Sequence, residues 1–128
     1  MSWVHPKIER IGRPALILLP KFKVDDNNFG CNGKTPDQMV RKFLSKNHGA
    51  FTLMGTTFHG EWKDHDGKLH SDVHIGYRVS FICPVKNDGG RDFSNLDLLI
   101  DFLSKLCANM MELCLYAEFG EEAVLIYP

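Results

Sequence analysis

A chain of 128 residues with 44% hydrophobic and 24% charged residues is globular in composition, and its length suits a single domain, residues 1–128, with residues 1–13 as an N-terminal arm. A formal net charge of −1, with no grouped Lys and Arg, argues against a nucleic-acid binder working by phosphate neutralisation. The segment Met1–Arg13 is polar, and the apolar run Ala15–Leu19 is too short for a bilayer, so a cytoplasmic protein without membrane contact is expected.

The first element is Pro14-Ala-Leu-Ile-Leu-Leu-Pro20, apolar at both side-chain parities and so predicted as a central strand covered on both faces. Ahead of it, Trp3, Val4, Ile8 and Ile11 could cover a sheet edge or meet a partner. Val24–Lys34 is rich in Asp, Asn and Gly and reads as a loop. Thr35, Pro36 and Gln38 then form a capping box with Pro at the first helical position. Met39, Val40, Phe43 and Leu44 give the helix a sheet-facing stripe up to about Asn47, and Gly49 closes it.

Gly49 to Cys83 reads as one long β-hairpin turning at Asp66-Gly67. Pro84–Asp92 is a loop. Ser94 is expected to cap a second helix, with Asp97 three residues on and Leu96, Leu99, Ile100, Leu103 and Leu106 along one side, ending near Asn109. The tail is read as strand–turn–strand about Gly120, with a longer helix reaching Glu118 as the rival. The order βαββαβ, plus a further strand, predicts an α+β ferredoxin-like sandwich: an antiparallel sheet with two helices on one face and the other face open.

The hairpin carries the candidate chemistry. With a two- or four-residue turn, Thr52, Met54, Phe58 and Trp62 join Leu69, Val73, Ile75 and Tyr77 on the helix side. His59 and Glu61 then meet His70, Asp72 and His74 on the open side. A solvated polar face is the plain account of these five residues. The sharper ones are acid–base catalysis by His59 and His74, a divalent metal held by His59, His70 and His74, or a small polar ligand held by Glu61, Asp72 and Arg78. Arg78 and Lys34 suit anions. Lys34 lies in Gly30-Cys-Asn-Gly33-Lys-Thr35, before a helix N-terminus, but the phosphate-loop pattern fails at Asn28. Asp64-His-Asp66-Gly67 lacks the ligands of a calcium loop. Cys31, Cys83, Cys107 and Cys114 contain no C-x-x-C pair and read as free thiols, with Cys83 on the core-facing parity.

Gly60-Glu-Trp62, Asp66-Gly67-Lys-Leu69, Asp72, Tyr77-Arg-Val79 and Leu115-Tyr-Ala-Glu-Phe119 resemble a group of small bacterial and phage proteins with a G-x-W hairpin, a helix and a closing Y-x-E-F-like strand. The resemblance spans roughly residues 50–127 and supports the strand reading of the tail; it carries no activity. The functional expectation is a small soluble, non-catalytic binding module whose open sheet face takes a protein partner, a second copy or a small polar ligand, with no cofactor. The alternatives are a cytosolic enzyme with His-based acid–base chemistry and a divalent-metal protein at the same face.

Overall fold

A computed structural model describes residues 5–82, 86 and 88–128, excluding the side chains of Phe81 and Ile82. Trp3, Val4 and Cys83 lie outside the described residues. The strands are β1 (Arg13–Pro20), β2 (Thr52–Leu53), β3 (Phe58–Lys63), β4 (Leu69–Ile82), β5 (Leu115–Phe119) and β6 (Glu122–Ile126). The helices are α1 (Lys21–Val24), α2 (Pro36–His48) and α3 (Ser94–Asn109). All pairings are antiparallel, in the order β2–β4–β1–β5–β6, with β3 also paired to β4.

Strand alternation sorts the two faces. Ala15, Ile17 and Leu19 of β1, Tyr77 and Val79 of β4, and Leu115, Ala117 and Phe119 of β5 are buried with Val40 and Leu44 of α2 and Leu99, Leu103 and Leu106 of α3. Both long helices therefore cover one face. Below Tyr77, the Asp37 carboxylate accepts from the tyrosine hydroxyl and from Arg41 Nε, fixing α2 to β4. Burial and the Asp37 carboxylate push the Tyr77 hydroxyl well above its usual range, so it remains a donor.

The capping box at Thr35 and Gln38, Pro36 at the helix start and Gly49 in the left-handed region frame α2 as the sequence predicts. The tail is a hairpin: Phe119 pairs with Glu122, and Gly120, at φ 62°, takes the first place of the two-residue turn. Ser94 is not a cap. Asp92 accepts from the Ser94 backbone N–H (2.9 Å) and hydroxyl (2.7 Å), so Ser94 is the first helical residue. Ile8 and Ile11 are exposed and do not seal a sheet edge.

Helix α3 stops in a Schellman motif. Glu112 N–H donates to Cys107 O and Met111 N–H to Ala108 O, both at 3.1 Å, with Met111 at φ 56° where glycine is usual.

The hairpin register corrects the sequence reading. Lys63 pairs with Leu69, and inside that pair Asp64 N–H donates to Lys68 O at 3.0 Å. Three residues, His65-Asp66-Gly67, remain as the loop, with Gly67 at φ 81°. The Asp64 carboxylate fixes this odd-numbered turn by accepting from Asp66 N–H (2.9 Å) and Lys68 N–H (3.0 Å). An odd loop inverts one arm relative to an even one. Phe58, Gly60 and Trp62 consequently share the open face with His74, Asp72 and His70, while His59 and Glu61 share the opposite one with Val73 and Ser71.

Candidate functional site

The open face holds a cavity of about 870 Å³. Its floor is Leu16, Leu18 and Pro20, the alternate residues of β1. One wall is the β3–β4 hairpin, which runs past β1: β1 pairs with β4 only from His74 onward. This overhang presents Phe58, Trp62, His70, Asp72 and His74. The facing wall is the α3–β5 turn and β5, with Glu112, Cys114, Tyr116 and Glu118, and Leu125 follows on β6.

The hairpin wall is tied together side chain by side chain. Asp64 Oδ2 lies 2.9 Å from His70 Nε2. The His70 ring stacks on Trp62, with centroids 4.6 Å apart, and Trp62 Nε1–H donates to Asp72 Oδ2 at 3.0 Å. Phe58 lies over Gly76: a Cβ on that glycine would sit 2.8 Å from Phe58 Cε2 and 3.1 Å from Met54 Cγ. The facing wall has its own ties. Lys23 Nζ bonds the Glu112 carboxylate and the Met110 carbonyl (2.8 Å), the Cys107 thiol donates to Glu112 O (3.4 Å), and Tyr116 O–H donates to Glu118 (3.0 Å).

Burial lowers the pKa of His74, against the opposing pull of Asp72 and Glu112, so the imidazole is neutral at pH 7 and can accept a proton. Burial, with Glu112 and Asp72 behind it, raises the Cys114 thiol, which stays protonated and is a weak nucleophile. Tyr116 is raised by burial and by its bond to Glu118. The cavity thus combines a neutral base, several carboxylates and aromatic surface, a lining suited to an organic cation.

Of the residues singled out in the sequence, His70, Asp72 and His74 stand together. His59 and Glu61 border the cavity from the exposed edge strand but belong to the opposite parity. Arg78 is exposed on the open face outside the lining. Lys34 is also outside it, at the end of a tight Cys31–Lys34 turn. There Lys34 N–H bonds Cys31 O at 3.0 Å, and Asn32 and Gly33 take positive φ. That turn accounts for Gly33, and the close approach of Lys34 O, where a Cβ would collide, accounts for Gly30. Among the described residues no group of three His, Cys, Asp or Glu side chains is placed to hold a metal ion, and the register sets His59 on the opposite parity from His70 and His74. Sequence reasoning missed Trp62, assigned to the helix side, and the contribution of Glu112, Cys114, Tyr116 and Glu118. The i, i+2, i+4, i+6 spacing of the last four was the signal that could have placed Tyr116 and Glu118 on one face of β5, with Cys114 and Glu112 leading into it.

No family model and no curated protein sequence matches the chain. Among solved structures it is similar to a phage SAM lyase in complex with S-methyl-5′-thioadenosine, at 12% identity and a TM-score of 0.54, over 94% of this chain and 95% of that one. The likeness is one of fold, over nearly the full length of both chains. It corrects the expectation of a non-catalytic binding module, because the solved protein built on this fold is an enzyme.

Proposed function

We propose that the chain is a small enzyme that cleaves a carbon–sulfur bond of a sulfonium nucleoside, with S-adenosylmethionine as the reference substrate, in the open-face cavity. The observation that carries this reading is the neutral, partly buried His74, close enough to Asp72 and Glu112 to feel their charge, within a cavity of about 870 Å³. The fold-level likeness to the lyase supports it as analogy. The strand order supports a ferredoxin-like arrangement, β5–β1–β4 with β2 and β3 on the far edge. The described cysteines, Cys31, Cys107 and Cys114, are free thiols, which suits a reducing cytosol.

S-methyl-5′-thioadenosine keeps the adenosyl group, sulfur and methyl of S-adenosylmethionine, so the bond lost between the two is from sulfur to the amino-acid side chain. As that bond breaks, its electron pair passes to sulfur and the positive charge disappears. Two routes balance the carbon left behind. In one, His74 removes a proton from the adjacent carbon and the C–H pair becomes a double bond. In the other, the substrate's own carboxylate closes on the carbon and no base is needed. Asp72 and Glu118 favour the cation, Glu112 being already paired with Lys23, and Trp62 offers a face for the flat base or the cation.

The test is incubation with S-adenosylmethionine and chromatographic detection of S-methyl-5′-thioadenosine. By the base route, His74→Asn lowers kcat about 100-fold or more, whereas His59→Asn stays within a few-fold of the parent. Unchanged turnover in His74→Asn assigns the reaction to the substrate's own carboxylate. The absence of both product formation and binding of either compound overturns the enzyme reading.

A further inference from the structure

We infer that Met111 is a specificity-determining contact at the edge of the cavity, held there at a cost to the fold, and that the ligand group it meets is a flat aromatic heterocycle. The inference rests on the proposed function for the identity of the ligand. Met111 occupies the left-handed position of the Schellman stop after α3, at φ 56°. Glycine takes that conformation freely, and a residue with a Cβ does not. Core packing does not compensate, because the Met111 side chain is 79% exposed. The exposed Met111 instead borders the cavity, next in the chain to Glu112, whose carboxylate Lys23 holds, and close to Leu113, itself exposed and part of the lining. The Schellman stop accounts for the left-handed backbone but not for a methionine in it, and a Cβ kept in that conformation beside a binding cavity, with no core packing in return, is the pattern of strain retained for function. A methionine sulfur is a favourable neighbour for an aromatic ring. Trp62, stacked on His70, lines the same cavity from the hairpin wall and adds apolar aromatic surface to it.

Calorimetric titration of S-methyl-5′-thioadenosine into the full-length parent, Met111→Gly and Met111→Leu, beside thermal denaturation of each without ligand, tests this. Met111→Gly is expected to melt about 2–6 °C higher as the backbone relaxes, and to bind the nucleoside about five- to tenfold more weakly. Met111→Leu, which keeps the bulk and the strained backbone but loses the sulfur, should bind with an affinity between those of the parent and Met111→Gly and show no gain in melting temperature. Free methionine, which has the thioether but no ring, should not discriminate between parent and Met111→Gly. Undiminished affinity in Met111→Gly overturns the contact while leaving the enzyme reading intact. A Met111→Gly that melts no higher than the parent removes the cost from the argument and overturns the inference. A parent that binds neither the nucleoside nor S-adenosylmethionine removes the proposed function, and this inference with it.

Discussion

Gly76 and Gly60 are both strand glycines on the open face, yet their surroundings differ. At Gly76 the space of a side chain is taken by Phe58 and Met54, whereas a Cβ at Gly60 meets nothing within 4 Å. Gly76→Val should therefore cost about 1–3 kcal/mol through overpacking, read as a lower denaturant midpoint, and should displace Phe58 from the cavity wall. Gly60→Val, at a β-strand position with free space, should leave stability within about 0.5 kcal/mol or raise it slightly. Equal losses at the two sites would mean that strand geometry, and not the Phe58 contact, governs both. Trp62 shows the same residue-level economy: one ring stacks on His70, and its single N–H orients Asp72.

The β3–β4 hairpin owes its geometry to Asp64, which accepts two turn N–H groups and faces His70. That setting holds the Asp64 carboxylate below its usual range, chiefly through His70. Asp64→Ala should loosen the hairpin tip, shift Trp62 fluorescence toward that of an exposed indole and lower the melting temperature, whereas Asp66→Ala should leave the fluorescence unchanged. The same element marks where sequence reading stops. Helix α2 was legible because Thr35, Pro36, Gln38 and Gly49 are local signals read within one stretch of chain. The two faces of the hairpin were legible as sets, but their pairing depends on whether the loop holds an odd or an even number of residues. A side chain's bonds to its own turn decided that. The facing wall was hidden for another reason: β5 reaches β1 across about a hundred residues of chain, and no local pattern encodes that adjacency.

At the scale of the whole molecule, two histidines couple the fold to pH. His48, at the end of α2, is 3% exposed, neither ring nitrogen has a hydrogen-bond partner, and burial lowers its pKa; burial also lowers that of His74. Both therefore bind protons more readily in the unfolded chain. Stability is fully present above the ordinary histidine value of about 6.5 and declines as pH falls below it, levelling once the lowered folded values are passed. The melting temperature should hold steady from pH 8 to 7 and fall between pH 6.5 and 5, with His48→Phe removing part of the slope. Each histidine can contribute at most about 1.4 kcal/mol per pH unit in that window. A flat profile would show that His48 gains its proton without unfolding. Among the described residues no helix is long and apolar enough to cross a membrane. The overhang of β4 beyond β1 has a last consequence. Because its partner strand alternates Phe58, Gly60 and Trp62 with His59, Glu61 and Lys63, the arm carries two sets of side chains, one largely aromatic on the open face and one charged on the opposite parity. A one-residue insertion or deletion in His65-Asp66-Gly67 would exchange them, so a single-codon change at the tip could rewrite the chemistry of the site without altering any residue that lines it.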